Sequence, residues 1–157
     1  RYQAGVVDFD RFVADLAGRS GGRYEAAEIE RVHRGWILGE YAGAHALIAR
    51  LRAARVPTVA LSNTCPVHWD QMPSFPAFAA IEHRIGSHLV GACKPAAAMY
   101  DAAEAALPPG EGRVLFFDDT PPNVEAARAR GWDAHVVDPH GDPPEQIAGI
   151  LAAAGVR

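Results

Sequence analysis

Residues 114–123 read VLFFDDTPPN: four apolar residues run directly into two adjacent carboxylates, Asp118 and Asp119, and then into a Thr-Pro-Pro-Asn helix start. The apolar run predicts a buried strand. Neighbouring carboxylates repel, and no basic residue stands beside this pair in sequence, so the arrangement works against stability. Residues that oppose stability are often kept for chemistry. A metal shelf, a phosphate-chemistry site and a plain turn are the three readings open at this point. Helix capping accounts for one aspartate, but not for both behind a fully apolar strand.

On both sides of this strand the predicted elements alternate. Upstream, VPTVALSN (56–63) is a β-rich run reaching Ser62 and Asn63, and AIEHRIGS (80–87) predicts a strand around Ile81 to Ile85. Between them the Pro-rich, aromatic CPVHWDQMPSFPAF (65–78) predicts a loop, and PAAAMYDAAEAAL (95–107) predicts a helix with Pro95 in its first turn. Downstream, PPNVEAARARG (121–131) is a helix closed by Gly131, AHVV (134–137) a strand, and PPEQIAGILAAAG (143–155) a last helix. Strand followed by helix, repeated, argues for a parallel sheet with covering helices.

The first ~55 residues carry no strand signal. DFDRFVADLAG (8–18) places Phe9, Phe12, Val13 and Leu16 on one helical face, with Gly18, Gly21 and Gly22 ending it. YEAAEIERVHRGWIL (24–38) predicts a second helix with Ile29, Val32, Trp36 and Ile37 inward, and AHALIARLRAAR (44–55) a third carrying Leu47, Ile48 and Leu51. Residues 1–41 are therefore expected as a small helical cap and residues 42–157 as the α/β core.

Composition narrows the function classes. The 157 residues suit one domain with at most a small accessory part, and 49% of them are apolar, enough for a core without staples. A net charge of −4 gives no basic footprint for nucleic acid. No apolar run approaches the ~20 residues of a membrane span. Cys65 and Cys93 lack paired spacing, which suits a reducing, cytoplasmic setting. The seven histidines fall in no zinc-ligand motif. The chain opens RYQAGVV, with neither an initiator Met nor a signal-peptide pattern, as expected after processing or for a piece of a longer protein.

Ligands of open α/β sheets collect at the carboxyl ends of the strands. Three polar features fall at or near such ends: Ser62-Asn63-Thr64, Lys94 within GACKP (91–95) at the entrance to a helix, and Asp118-Asp119. Phosphoryl transfer needs positioning and charge neutralisation. Ser62 and neighbouring N–H groups would bind phosphate, Lys94 would neutralise it, and a hard divalent ion such as Mg²⁺ would sit between Asp118 and the phosphate. Each piece has a plain alternative: a turn, a solvated lysine, a helix cap. The three in order, each at the end of a βα unit, favour the site.

LSNT, GACKPAAAMY and VLFFDDTPPNVEAARARGW resemble the second, third and fourth motifs of the haloacid dehalogenase-like hydrolases. The subgroup with a helical cap, which includes small sugar-phosphate phosphatases, is the nearest, and the resemblance runs from about Gly5 to Val137. It implies a parallel, Rossmann-like sheet with the cap inserted after its first strand. It also implies Ser62 and Asn63 at the phosphate, Lys94 bridging phosphate and nucleophile, and Asp118 on Mg²⁺. Asp119 would order the metal's water shell or Lys94, with Asn123 supporting. The substrate implied is a small phosphorylated metabolite.

Such a site also needs a nucleophilic aspartate in a D-x-D motif on the first strand. The only D-x-D, Asp8 and Asp10 in VVDFDRF, follows too short an apolar run and is succeeded by Arg11 and Phe12 rather than small residues. Asp8 instead suits a helix N-cap. The chain is thus expected to start inside the cap, with the first central strand and the attacking aspartate encoded upstream and the segment inactive alone. A degenerate, non-catalytic relative and a dehalogenase of the same family are the alternatives; the acidic pair favours the metal-dependent phosphatase. A phospho-acceptor receiver also uses paired Asp, Ser/Thr and Lys-Pro, but in another order. Trp36, His68 and Trp69 are candidates for substrate contact, Trp36 more readily as cap core, and Cys65 is expected as a passive small residue.

Overall fold

The computed structural model describes residues 1–110 and 112–156. Four short strands carry the α/β part: β1 (Val59–Ser62), β2 (His83–Gly86), β3 (Leu115–Asp118) and β4 (Asp133–Val136). They pair as two parallel ladders, β1 with β2 and β3 with β4, in registers that set Ser62 opposite Gly86 and Asp118 opposite Val136. The ends of β1 and β3 are therefore Ser62 and Asp118, the two residues expected at strand ends. Each of β1 and β3 has a partner on one side only among the described residues.

The helices, numbered in chain order, are α1 (Phe9–Arg19), α2 (Ala26–Arg34), α3 (Ala44–Ala53), α4 (Pro66–Trp69), α5 (Pro76–Ala80), α6 (Ser87–Val90), α7 (Ala97–Ala106), α8 (Pro121–Ala129) and α9 (Pro143–Ala153). Helix α7 supplies the centre of the core. Its Met99, Tyr100 and Ala103 pack with Phe116 of β3, Val124 and Ala127 of α8, and Trp132 and Ala134 around β4, while Val59, Leu61 and Ile85 of the other ladder close on the same cluster. Tyr100, Phe116 and Trp132 meet edge to face at centroid separations of 5.5–6.1 Å, the geometry that aromatic quadrupoles favour. Between β1 and β3 this packing leaves an apolar cavity of about 640 Å³, lined by both strands and by α3, α7 and α9.

Several boundaries differ from the sequence expectation, each for a local reason. Helix α1 runs through Gly18 to Arg19, and the chain turns at Gly21 and Gly22, whose φ angles of 63° and 82° favour glycine. Helix α2 stops at Arg34 with Gly35 as its C-cap. Trp36, past its end, is consequently exposed, by 71%, and is not part of a core, and Val32 within the helix is exposed as well. The stretch 65–78 is not a loop: Pro66, Pro73 and Pro76 stand in the first turns of α4, a 3-10 turn at Met72–Ser74, and α5, where the missing N–H is harmless. Ile81 caps α5, so β2 begins two residues later, at His83. Helix α7 starts at Ala97, with Pro95 ahead of its Ala96 N-cap rather than in its first turn.

The N-terminal helices pack on the segment following β1. The Tyr2 ring stacks on Phe12 at 4.3 Å, and its buried phenol has its pKa pushed up by burial first and then by the neighbouring Cys65 thiol. Ser87 ties the pieces together. Its fully buried hydroxyl accepts the Thr64 N–H at 2.9 Å and lies 2.6 Å from the Gln3 carbonyl. Ser87→Ala would orphan the Thr64 N–H, and an expected loss of about 1–3 kcal/mol would appear as a lower urea midpoint at unchanged slope.

Candidate active site

The residues singled out from the sequence converge on one rim. Lys94 Nζ donates to Asp118 Oδ2 at 2.6 Å and to the Leu61 carbonyl at 2.6 Å, joining the ends of β3 and β1. The pair is nearly dry, with side-chain exposures of 10% for Lys94 and 4% for Asp118. Asn63 clamps the lysine backbone in both directions: its Nδ2 donates to the Lys94 carbonyl at 3.0 Å, and its Oδ1 accepts the Lys94 N–H at 2.7 Å. The Asn63 side-chain amide thereby holds Lys94 with its oxygen and one of its two N–H donors. The Lys94–Pro95 peptide is cis.

Ser62 lies between Leu61 and Asn63, both of which touch Lys94. Its half-buried hydroxyl has no partner among the described residues, so it is free to donate to an incoming oxyanion. An ammonium carries three donors; two are engaged, and the third N–H of Lys94 has no partner among the described residues.

Asp118 is held from three sides. Besides Lys94 on Oδ2, its Oδ1 accepts the Thr120 N–H at 2.9 Å and Asn123 Nδ2 at 2.9 Å. Proline at the start of α8 sets the first turn so that Asn123, itself buried, returns toward the strand end. Burial is the largest single influence on Asp118 and pushes its pKa up, but the hydrogen bonds from Lys94, Asn123 and Thr120 together outweigh it and hold the carboxyl below its ordinary value. The N-cap of α8 is Thr120, so neither aspartate serves as the helix cap. Asp119 is exposed and, among the described residues, accepts only the Thr120 hydroxyl, at 3.2 Å.

A folded-state pKa below the unfolded one means that Asp118 contributes stability above its unfolded pKa of about 3.9 and loses it as pH falls through the folded value. Acid titration of unfolding free energy is expected to show a decline below about pH 4 that is smaller in Asp118→Asn. An identical decline in the two proteins would contradict this.

A cleft of about 290 Å³ opens over the rim, bordered by Lys94, Asp118, Asp119, Tyr41 and Pro139. The Tyr41 hydroxyl donates to the Pro139 carbonyl at 3.2 Å. Asp8 and Asp10 lie elsewhere: Asp8 is the N-cap of α1, accepting the Arg11 N–H at 2.7 Å, and Asp10 is in the first turn. Of the residues considered for substrate contact, Trp69 packs edge-on against Phe78 and His88, and His68 stacks on His33 at 4.4 Å. Sequence reasoning missed the anchoring Thr120 N–H, the Leu61 carbonyl and Ser87. The first two are backbone groups without a side-chain signal, and Ser87 meets its partners across 23 and 84 residues.

Comparison with known proteins matches residues 1–131 to the haloacid dehalogenase-like hydrolase family. The chain belongs to that family of hydrolases. A curated relative, Phosphatase MT3486 of Mycobacterium tuberculosis (strain CDC 1551 / Oshkosh), is 35% identical over 71 residues, which is 45% of this chain and 33% of that protein. The matched segment thus spans about a third of the relative's length. Among solved structures, a predicted HAD-like family hydrolase from Porphyromonas gingivalis superposes with a TM-score of 0.77 at 22% identity over 96% of this chain and 76% of that one. The HAD family enzyme BT-2542 of Bacteroides thetaiotaomicron gives 0.76 at 19% over 93% and 75%. L-2-haloacid dehalogenase from Xanthobacter autotrophicus gives 0.63 at 20% over 92% and 60%. These likenesses establish the α/β fold.

Proposed function

We propose that the protein is a Mg²⁺-dependent phosphomonoester hydrolase acting on a small soluble phosphate. The observation that carries this reading is the buried Lys94–Asp118 pair, 2.6 Å long, with Asp118 at the end of β3 and Ser62, whose hydroxyl has no partner among the described residues, at the end of β1. The Ser62 hydroxyl and the Asn63 N–H bind the phosphate, and the third Lys94 donor neutralises one of its oxygens. Asn63 and the Leu61 carbonyl keep the ammonium aimed. Residues 1–41 act as a cap over the 42–157 core.

The acidic residues suit a hard cation. Asp118 is ionised and offers about four lone-pair positions, of which three are filled by Lys94, Asn123 and Thr120. Asp119 is exposed with oxygen to spare. Both are oxygen donors, the type Mg²⁺ prefers, and the ion when bound would offset phosphate charge. The BT-2542 enzyme has been crystallised with magnesium and inorganic phosphate, and the curated relative is a phosphatase. The acidic pair favours this chemistry over haloacid hydrolysis.

The reaction we propose passes through an aspartyl-phosphate. A carboxylate oxygen attacks phosphorus, the ester P–O bond breaks, the alcohol leaves with a proton from a general acid, and water then hydrolyses the acyl phosphate. The attacking aspartate is carried by a strand outside residues 1–157 that enters the cavity between β1 and β3. In support, both strands lack a partner on one side among the described residues, the cavity is apolar, and unpaired edges accept a strand readily. The test is p-nitrophenyl phosphate turnover by the full-length protein in Mg²⁺. Turnover is expected to disappear with EDTA and in Asp118→Ala; turnover that survives both would sink the assignment of the acidic shelf.

A further inference from the structure

Just past Ser62–Asn63, α4 and its N-cap residue meet α2, more than thirty residues away in sequence. His33, near the C-terminal end of α2, meets Cys65 and His68 of the α4 segment. One donor atom from each of the three lies within 4.8 Å of the other two. Cys65 is 2% exposed, and its Sγ is 3.5 Å from His33 Nε2. In a tetrahedral zinc site, with Zn–S near 2.3 Å and Zn–N near 2.0 Å, a sulfur and a nitrogen ligand stand about 3.6 Å apart. The Cys65–His33 edge already has that length.

His68 has one ring nitrogen held on a carbonyl. Its Nε2 lies 2.7 Å from the His33 carbonyl; with that nitrogen donating, Nδ1 keeps the free lone pair. Metal-bound histidines characteristically hold their far N–H on a carbonyl or carboxylate in this way. Closing the widest separation to a tetrahedral edge takes a shift on the order of 1 Å. The Tyr2 hydroxyl is a second, independent observation. Tyr2 is 6% exposed, its ring lies against His33 at 5.6 Å, and its buried hydroxyl, beside Cys65, makes no well-formed hydrogen bond among the described residues.

We propose that His33, Cys65 and His68 form a binding site for a borderline-soft divalent cation of the Zn²⁺ type, with the Tyr2 hydroxyl or a water as fourth ligand. A thiolate and two imidazoles select such an ion and disfavour Mg²⁺, which takes oxygen ligands. The site is chemically distinct from the acidic shelf and does not depend on the phosphatase reading. An ion here cross-links the N-terminal helices to the segment that directly follows Ser62–Asn63.

Titration of the full-length protein with Co²⁺, a spectroscopic substitute for Zn²⁺, tests the proposal. One equivalent is expected to produce a thiolate-to-cobalt charge-transfer band with tetrahedral d–d absorption, both erased by Zn²⁺. Cys65→Ser should abolish the charge-transfer band. His68→Ala should weaken binding by more than about 100-fold, beyond the loss of an outer-shell partner. Cys93→Ser and Asp118→Asn should retain the spectrum, and circular dichroism reports whether each variant is folded. A wild-type protein without the band would overturn the site, as would a band unchanged in folded Cys65→Ser or one lost only in Asp118→Asn.

Discussion

Lys94→Met is expected to cost about 3–5 kcal/mol of folding free energy and to lower phosphatase turnover on the order of 10³-fold. The stability loss follows from burial. Asp118 is 4% exposed, and removing its cation leaves a carboxylate in a nearly dry site with only the Thr120 N–H and the Asn123 amide. The group then protonates more readily, which recovers part of the loss and moves its titration upward. Asp118→Asn in the Lys94→Met background removes the stranded charge, so the double variant is expected to be more stable than Lys94→Met alone. It would remain inactive, because the activity term does not recover with the charge. Urea unfolding of the wild type, the two single variants and the double variant yields the coupling between the residues. Additive losses would mean that the pair is not a unit.

The second large effect lies in the core. Trp132→Ala is expected to cost about 3–5 kcal/mol, measured as a lower urea midpoint. Trp132 is buried at the entrance to β4, edge-on to Tyr100 at 5.5 Å and to Phe116 at 5.7 Å, with its indole N–H donating to Glu104 Oε1 at 3.1 Å. Truncation empties the space that fixes Tyr100, whose hydroxyl donates to the Asn123 carbonyl at 2.9 Å. Asn123 in turn holds Asp118. The variant is therefore expected to lose activity as well, although Trp132 stands apart from the rim. Trp132→Phe should restore most of the stability, since a ring is kept and one part-buried hydrogen bond is lost. Equal losses for the two substitutions would mean that the indole N–H, not packing, carries the effect.

The parts of the fold legible in the sequence are those governed by local periodicity and by punctuation. VLFF before Asp118 is a strand because four apolar residues precede a polar stop, and Gly131 ends α8 with a φ of 84°. Asp8 was readable as an N-cap because the helical spacing of Phe9, Phe12 and Val13 begins immediately after it. The apolar spacing in 24–38 misled for the same local reason: it continues through Trp36, but Gly35 ends the helix first and turns Trp36 to solvent. In 65–78 the prolines suggested a loop, yet each fits the first turn of a short helix.

For the candidate site, the placing of Ser62 and Asp118 at the ends of β1 and β3 followed from the alternation of elements, whereas Lys94 lies beyond α6, eight residues past the end of β2. Their contacts did not. That Asn63 clamps the Lys94 backbone, that the Leu61 carbonyl shares the ammonium, and that Ser87 supports Thr64 are long-range hydrogen bonds with no local signature. The meeting of His33 with Cys65 and His68 likewise spans more than thirty residues, whereas zinc motifs are recognised in sequence by short ligand spacings.

The central claim is that this rim performs phosphoryl rather than halide chemistry. The most direct measurement is product release by the full-length protein in Mg²⁺: inorganic phosphate from a panel of small phosphomonoesters, and halide from a short 2-haloacid. The account predicts phosphate release from at least one phosphomonoester, lost in Lys94→Met and Asp118→Ala, with no halide released. A folded, Mg²⁺-supplied protein that releases halide, or that is inert on the whole phosphate panel, would contradict it.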